Sequence, residues 1–243
     1  MKQELLKFIR EKLSKIQRSS YTLTESEKSQ FNFFEEFLKC AHSYYSEPVH
    51  SLQDIKKRDN TKLRGDIFEY YALLYFKSDP KGWYTDAWLL EDVPKDILEE
   101  LGLKRGDLGI DLILRDKAGK YSAVQVKYRT ANKYKSKTVV GWKQLSTFYA
   151  IALKTGPYAK HIIFTNADYV RHVGKKTELD RSICIGSLRK IDSKRNQNMI
   201  AKADAELGVR SPMKGSQTVG SDSAKKLTVE EMRAQRLALF ERS

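Results

Sequence analysis

Residues 110–128 contain two runs of alternating apolar and polar residues joined by a turn, and this pattern fixes the centre of the predicted fold. Ile110–Arg115 and Tyr121–Tyr128 alternate with period two, as half-buried strands do. The turn between them includes Gly119, which can take a positive φ in a three-residue loop. We therefore predict a β-hairpin in which Asp116 lies opposite Lys120.

The register of this hairpin brings three polar residues together. Counting back from the turn, Asp111 pairs with Gln125, and Lys127 lies one step away diagonally. Directly opposed residues of an antiparallel pair have Cβ atoms about 4.5–5.5 Å apart, so one cation could contact both side chains. Carboxylate, amide and carbonyl oxygens are the ligands that Mg²⁺ prefers, so we favour a metal site over the alternative of a simple solvated face. The apolar residues of the first strand are expected to share the face opposite Asp111: Ile110, Leu112 and Leu114.

The motif Gly109-Ile110-Asp111, followed after thirteen residues by Gln125-Val126-Lys127, resembles the active-site core of the PD-(D/E)XK nucleases. It is most similar to the Mrr-like branch of the type IV restriction endonucleases, in which Gln replaces the usual acid of the second half-motif. The resemblance covers roughly residues 60–190. The motif that names the family begins with proline, but this sequence has Gly109-Ile110 at that place. The Mrr-like branch tolerates this difference.

This resemblance implies a Mg²⁺- or Mn²⁺-dependent endonuclease that hydrolyses DNA phosphodiester bonds. Asp111, the amide oxygen of Gln125 and the carbonyl oxygen of Val126 would bind the metal, and Lys127 would be the catalytic lysine. Glu69 resembles the glutamate that supports the metal from the helix before the core sheet. The alternative is that Glu69 only marks the solvent edge of an amphipathic helix. Three other functions stay open: a catalytically silent nucleic-acid-binding module, a junction resolvase and an RNA nuclease.

The charge of the chain favours a polyanionic partner. Lys and Arg number 45 against 31 Asp and Glu, which gives a net charge of +14. Nucleic acid is the first candidate for such a partner, and an anionic membrane surface is the second. Basic residues are concentrated in and after the connector that leaves the second strand, where we predict contacts to DNA phosphates rather than a merely solvated loop. These residues are Arg129, Lys133, Lys135, Lys137 and Lys143.

The remaining patterns predict an α/β fold with a restriction-endonuclease-like core, in which helices flank a mixed β-sheet. Helices are expected at 1–18, 24–45, 60–76, 95–101, 139–154 and 200–207, and further strands at 83–90, 161–165 and 181–186. The β–α–β order over 121–165 predicts a parallel strand pair.

We divide the chain into three regions. Residues 1–58 form an N-terminal helical region, which is either a small subdomain or packing around the core. Residues 59–207 form the PD-(D/E)XK nuclease-like domain. Residues 208–243 form a flexible linker and a short amphipathic helix at 227–240, which docks on a partner protein or back on its own domain.

Composition also suggests where the protein acts. Cys40 and Cys184 lie far apart among apolar residues, which is typical of reduced core thiols and favours an intracellular compartment, either the cytoplasm or the nucleus or nucleoid. No apolar run approaches the roughly 18 residues needed to span a bilayer, and no signal peptide opens the chain, so no membrane contact is expected. DNA is the predicted partner, and formation of a homodimer stays open.

Overall fold

The computed structural model describes residues 2–45, 60–106, 109–130, 137–172 and 177–209. Within these ranges a five-stranded mixed sheet is packed between helices on both faces. The strands are β1 (Tyr84–Leu89), β2 (Leu112–Asp116), β3 (Tyr121–Lys127), β4 (Val139–Val140), β5 (Lys160–Thr165), β6 (Tyr169–Val170) and β7 (Asp180–Ile183). The helices are α1 (Lys2–Tyr21), α2 (Glu25–Gln30), α3 (Phe33–Tyr45), α4 (Asn60–Lys77), α5 (Lys95–Leu101), α6 (Trp142–Lys154), α7 (Ile185–Leu188) and α8 (Ser193–Glu206).

Some predictions fall on parts of the chain that lie outside the described residues. These are the C-terminal helix, almost all of the linker before it, and the connector residues Lys133 and Lys135. In the described ranges no helix is long and apolar enough to cross a membrane. Cys40 and Cys184 are half-buried and form no disulfide.

The main sheet has the strand order β1-β2-β3-β5-β7, and only β2 runs against its neighbours. The carboxyl ends of the other four strands therefore lie at one edge of the sheet, beside the first residues of β2. The predicted hairpin is confirmed in its register, with Leu112 opposite Val124. Its turn is closed by the Asp116 N–H, which donates to the Lys120 carbonyl at 2.9 Å, and Gly119 has a φ of 78°. The predicted parallel pairing of β3 with β5 is also confirmed.

The expected position of Ile110 is wrong. Leu112 and Leu114 pack in the apolar cluster beneath α4, whereas Ile110 packs with Ile113 on the opposite side of the sheet. The alternation stops because β2 begins only at Leu112, and Gly109, with a φ of 125°, turns the chain just before it. The solvated-face interpretation also fails, because β3 is covered on both sides and Gln125 is 2% exposed.

Two apolar clusters sandwich the sheet. One joins α1, α3, α4 and α8 to a face of β1, β2, β3, β5 and β7. The other joins α5 and α6 to the opposite face. The N-terminal helices α1 and α3 thus pack around the sheet and share its core, which is the second of the two arrangements considered for that region.

The N-terminal region contains two helices where the sequence pattern suggested one between residues 24 and 45. Asn32 interrupts it, because its side-chain oxygen accepts hydrogen bonds from the N–H groups of Phe34 and Glu35, both at 3.1 Å, and so caps α3. The predicted capping box of Thr24 and Glu27 is confirmed at the start of α2.

The other boundary errors have local causes, one of which is a helix cap. The helix predicted from residue 139 begins at Trp142, since Val139 and Val140 pair with Tyr169 and Val170. The last strand ends at Ile183 instead of residue 186, where α7 follows. The final helix begins at Ser193, seven residues earlier than predicted, because Asp192 accepts a hydrogen bond from the Arg195 N–H and caps it.

Candidate active site

Asp111 lies at the edge of the sheet, one residue before β2 begins. Its Oδ2 accepts a hydrogen bond from the Val126 main-chain N–H at 2.6 Å and another from Gln125 Nε2 at 3.1 Å. If the antiparallel ladder continued, residue 110 would be the partner of Val126. The carboxylate of Asp111 takes that place, just before β2 begins, where β3 continues beside β5 without β2.

Val126 and Gln125 each keep one oxygen that could bind a cation. The N–H and carbonyl of one strand residue point toward the same neighbouring strand, so the Val126 carbonyl leaves β3 on the side of Asp111. Gln125 uses its amide nitrogen on Asp111, which leaves the amide oxygen as its remaining polar group. The structure therefore brings the three predicted ligand residues together.

Lys127 is the last residue of β3 and is half-buried. Its main-chain carbonyl accepts a hydrogen bond from Thr165 Oγ1 at 2.7 Å, which ties the end of β3 to the end of β5. Its positive charge acts on both Glu69 and Asp111. The side chain is therefore close enough to influence both acids.

Glu69 lies on α4, and α4 and α6 cover opposite faces of the sheet. Burial raises the pKa of Glu69 to about 8, and the nearby carboxylates of Asp111 and Asp66 act in the same direction. Burial also raises the pKa of Asp111, against the opposing effect of its hydrogen bonds from Val126 and Gln125. Two acids held together away from water repel each other when both are ionised, and a cation beside them would relieve that repulsion.

A cleft of ≈ 280 Å³ contains both acids. It is also lined by polar residues that the sequence did not single out: Lys2, Lys62, Asp66, Tyr70, Glu91 and Arg105. Part of this set has a sequence signal, since Lys62 and Asp66 precede Glu69 by seven and three residues and so fall on one side of α4. Glu91 and Arg105 have no such signal, because only the folded chain brings the segments after β1 and α5 to this cleft.

The donor atoms at this position suit a hard cation such as Mg²⁺. Among the described residues, no group of three or more His, Cys, Asp and Glu side chains could hold a metal. A cation at this position would therefore need amide and main-chain oxygens among its ligands. Asp111 uses Oδ2 for its hydrogen bonds with Gln125 and Val126, which leaves Oδ1 as the carboxylate oxygen that could bind a cation. Oxygen ligands with few carboxylates match the way Mg²⁺ is bound, with water and substrate phosphate completing its coordination.

The described connector residues lie near this edge of the sheet. The Arg129 N–H donates to Asn166 Oδ1 at 2.6 Å, and Asn166 Nδ2 donates back to the Arg129 carbonyl at 2.8 Å. At the other end of the connector Thr138 is bound to Asp168, so Lys137 is also held near the end of β5. Lys143 is exposed in the first turn of α6. Their contacts with DNA stay a prediction.

Residues 77–196 match a protein family described as Restriction endonuclease. This part of the chain has a restriction-endonuclease-like nuclease fold. The prediction made from Asp111, Gln125 and Lys127 is thereby confirmed at the level of the fold. The matched range of the nuclease fold contains all three residues and Val126, whereas Glu69 lies eight residues before it.

No curated protein matches the chain. Among solved structures, the chain is similar to one described as "ATP-dependent Type ISP restriction-modification enzyme LlaBIII bound to DNA", with 22% identity and a TM-score of 0.40. The similarity covers 76% of this chain, which spans 11% of the length of that enzyme.

Proposed function

We propose that the protein is a Mg²⁺-dependent endodeoxyribonuclease that hydrolyses phosphodiester bonds at the carboxyl edge of its sheet. The observation that carries the proposal is the joining of Asp111, Gln125, Val126 and Lys127 at one strand end within a restriction-endonuclease-like fold. Glu69 supports it from the facing helix. Two half-buried carboxylates in one cleft, with a lysine whose charge acts on both, are typical of a functional site.

Asp111 Oδ1, the Gln125 amide oxygen and the Val126 carbonyl would hold the metal, with Glu69 in an outer position. A bound Mg²⁺ would act as a Lewis acid that offsets the negative charge growing on the scissile phosphate. Because Gln125 is neutral, this ligand set carries one negative charge fewer than a set with two acids. We expect weaker metal binding in the absence of DNA as a result, with the substrate phosphate supplying part of the coordination.

Lys127 would contact a non-bridging phosphate oxygen and orient the attacking water with its ammonium group. A fixed cation aimed at charge that develops in the transition state stabilises that state without reorganisation. Lys62 and Arg105, which line the same cleft, would hold the phosphates that flank the cut. DNA is proposed as the substrate because the matched family is described as Restriction endonuclease and the net charge is +14.

The test is to incubate the protein with supercoiled, linear, methylated and branched DNA and with RNA, each with Mg²⁺ or Mn²⁺ and with EDTA. We expect cleavage of at least one DNA substrate that stops in EDTA and that Lys127→Ala abolishes while DNA binding persists. Lys104→Ala, which removes a lysine beside the cleft that is not part of its lining, is the matched control and should cut like the wild type.

Two results would refute the proposal in different ways. If the wild type binds every DNA substrate and cuts none, the protein is a binding module that keeps the nuclease fold. If only RNA is cut, the chemistry stands and the proposed substrate class is wrong.

A further inference from the structure

A second polar pocket of ≈ 240 Å³ lies between the end of α4 and the first residues of β1 and β7. Ligand pockets for drug-sized molecules usually start at about 300 Å³, so this one suits a single small unit. Three cations line it, Lys81, Arg181 and Arg195, against one acid, Asp79. The Oδ2 of Asp79 accepts a hydrogen bond from the Trp83 main-chain N–H at 3.0 Å, so part of its charge is engaged in the turn.

Arg195 is held rigidly in this pocket. Its guanidinium carbon lies 3.7 Å from the centre of the Tyr75 ring, and Nη2 donates to the Tyr75 carbonyl at 3.0 Å. Its Nε is buried and has no hydrogen-bond partner among the described residues. A buried donor without a partner costs free energy that an acceptor oxygen would recover.

Arg181 lines the same pocket from the start of β7, and its positive charge acts on the Tyr84 hydroxyl. Two arginines with planar arrays of donors are well suited to a phosphate group, which can accept several N–H bonds at once. The pocket thus joins a rigidly held arginine, Arg195, to an exposed one, Arg181, and both could donate to one phosphate group.

Trp83 gives this pocket a second binding feature. It is 58% exposed, although a tryptophan of this size is normally more buried in a single chain. The Asp79 hydrogen bond and the turn at Gly82, with a φ of 56°, hold its main chain in place. An exposed indole beside two arginines is a combination that can stack a nucleobase while its phosphate is bound.

The pocket is at the opposite edge of the sheet from Asp111. Tyr84 is the first residue of β1 and Arg181 the second of β7, and the carboxyl ends of both strands lie at the catalytic edge. Strands of six residues span about 20 Å, so this site cannot contact the phosphate that is cut. It must serve a different nucleotide.

We propose that this pocket binds one nucleotide unit, with the phosphate on Arg181 and Arg195 and the base stacked on Trp83. The nucleotide is either free or part of a nucleic acid strand that extends from the catalytic cleft. Both sources present the same group to the pocket. The proposal does not depend on cleavage and can be tested with the metal removed.

The experiment is isothermal titration calorimetry of the full chain in EDTA with three probes: deoxyadenosine 5′-monophosphate, inorganic phosphate and a short single-stranded oligodeoxynucleotide. Arg181→Gln should weaken nucleotide binding about tenfold or more, as expected for loss of a charged hydrogen bond. Trp83→Ala should weaken it about fivefold or more because the indole no longer stacks on the base, but should leave phosphate binding unchanged. Arg18→Gln, an exposed arginine on α1 outside the pocket, is the control.

Binding of the mononucleotide with this pattern of losses supports a free nucleotide as the ligand. The same pattern with the oligonucleotide alone supports a nucleotide within a strand. The proposal is overturned if neither the mononucleotide nor the oligonucleotide binds, or if both bind the two pocket variants as tightly as the wild type. It is also overturned if inorganic phosphate binds as tightly as the mononucleotide. Because Arg181 and Trp83 are exposed, thermal unfolding of the variants should match the wild type.

Discussion

Gly109 is a position where a single methyl group should damage both the fold and the proposed site. Its φ is 125°, a conformation that side chains rarely adopt, and a Cβ built there would lie 3.0 Å from the Phe148 main-chain nitrogen. It would also lie 3.1 Å from the Phe148 Cα and from the Thr147 carbonyl carbon. All three atoms belong to the backbone of α6, which cannot rotate away. Gly109 therefore lets the chain before Asp111 pass close to α6.

The expected cost of Gly109→Ala has two parts. Backbone strain of this kind costs about 1–3 kcal/mol, and forcing a methyl group against a packed helix adds about 1–3 kcal/mol. Gly119→Ala is the matched control, since Gly119 also has a positive φ, of 78°, but nothing lies within 4 Å of its added Cβ. It should cost only the strain, about 1–2 kcal/mol.

Thermal unfolding by circular dichroism measures the difference. At about 2–4 °C per kcal/mol for a chain of this size, Gly119→Ala should lower the Tm by roughly 2–8 °C, and Gly109→Ala by roughly 4–24 °C. Gly109→Ala should also lose cleavage activity per folded molecule, because Asp111 is two residues away. Equal Tm values and equal activities for the two variants would refute the role given to the close approach.

Three further predictions concern the metal, the connector and the core. Gln125→Glu should lower the Mg²⁺ concentration needed for half-maximal cleavage, and Gln125→Leu should abolish cleavage even at high Mg²⁺. If the cleavage rate depends on Mg²⁺ in the same way in the wild type and both variants, the Gln125 amide is not a metal ligand. Phe68→Ala should cost about 3–5 kcal/mol in a denaturation titration, because Phe68 is 1% exposed and packs against four aromatic rings of the described residues. Leu153→Ala, at 77% exposure, should be nearly neutral. The connector lysines Lys133, Lys135 and Lys137 should be replaced together by Ala. The slope of log K against log[salt] for binding to duplex DNA should then become shallower, by up to about 0.9 for each phosphate contact that is lost. An unchanged slope would mean that the DNA binds elsewhere on the protein.

The hairpin could be predicted from the sequence because its signals are local. The alternation of apolar residues and a single glycine in the turn fix the register, and the register alone pairs Asp111 with Gln125. The same local reasoning failed at Ile110. Period-two alternation assumes that the strand continues, but Gly109 turns the chain before β2 and reverses the side on which Ile110 packs.

Side-chain caps account for two of the boundary errors. Asn32 and Asp192 each set the first residue of a helix by accepting a hydrogen bond from a main-chain N–H. Such residues also occur in ordinary loops, so the sequence alone does not say which of them will cap a helix.

The composition of the cleft depends on the fold. Lys62 and Asp66 share one side of α4 with Glu69, which the helical period could have shown. Arg105 and Glu91 reach the cleft from segments after α5 and β1, and nothing in their neighbourhood marks them as site residues. The carboxylate of Asp111 also lies at the end of β2 and not on a sheet face, because its bond to the Val126 N–H replaces a rung of the ladder.

The most direct test of the central claim is a calorimetric titration of Mn²⁺ into the wild type, Asp111→Asn and Lys127→Met, in the absence of DNA. Asp111→Asn keeps the size of the side chain and removes its charge, and Lys127→Met removes only the ammonium group. We predict that the wild type and Lys127→Met bind Mn²⁺ and that Asp111→Asn does not, although neither variant should cut DNA. Wild-type Mn²⁺ affinity in Asp111→Asn would contradict the assignment of the metal to this end of the sheet.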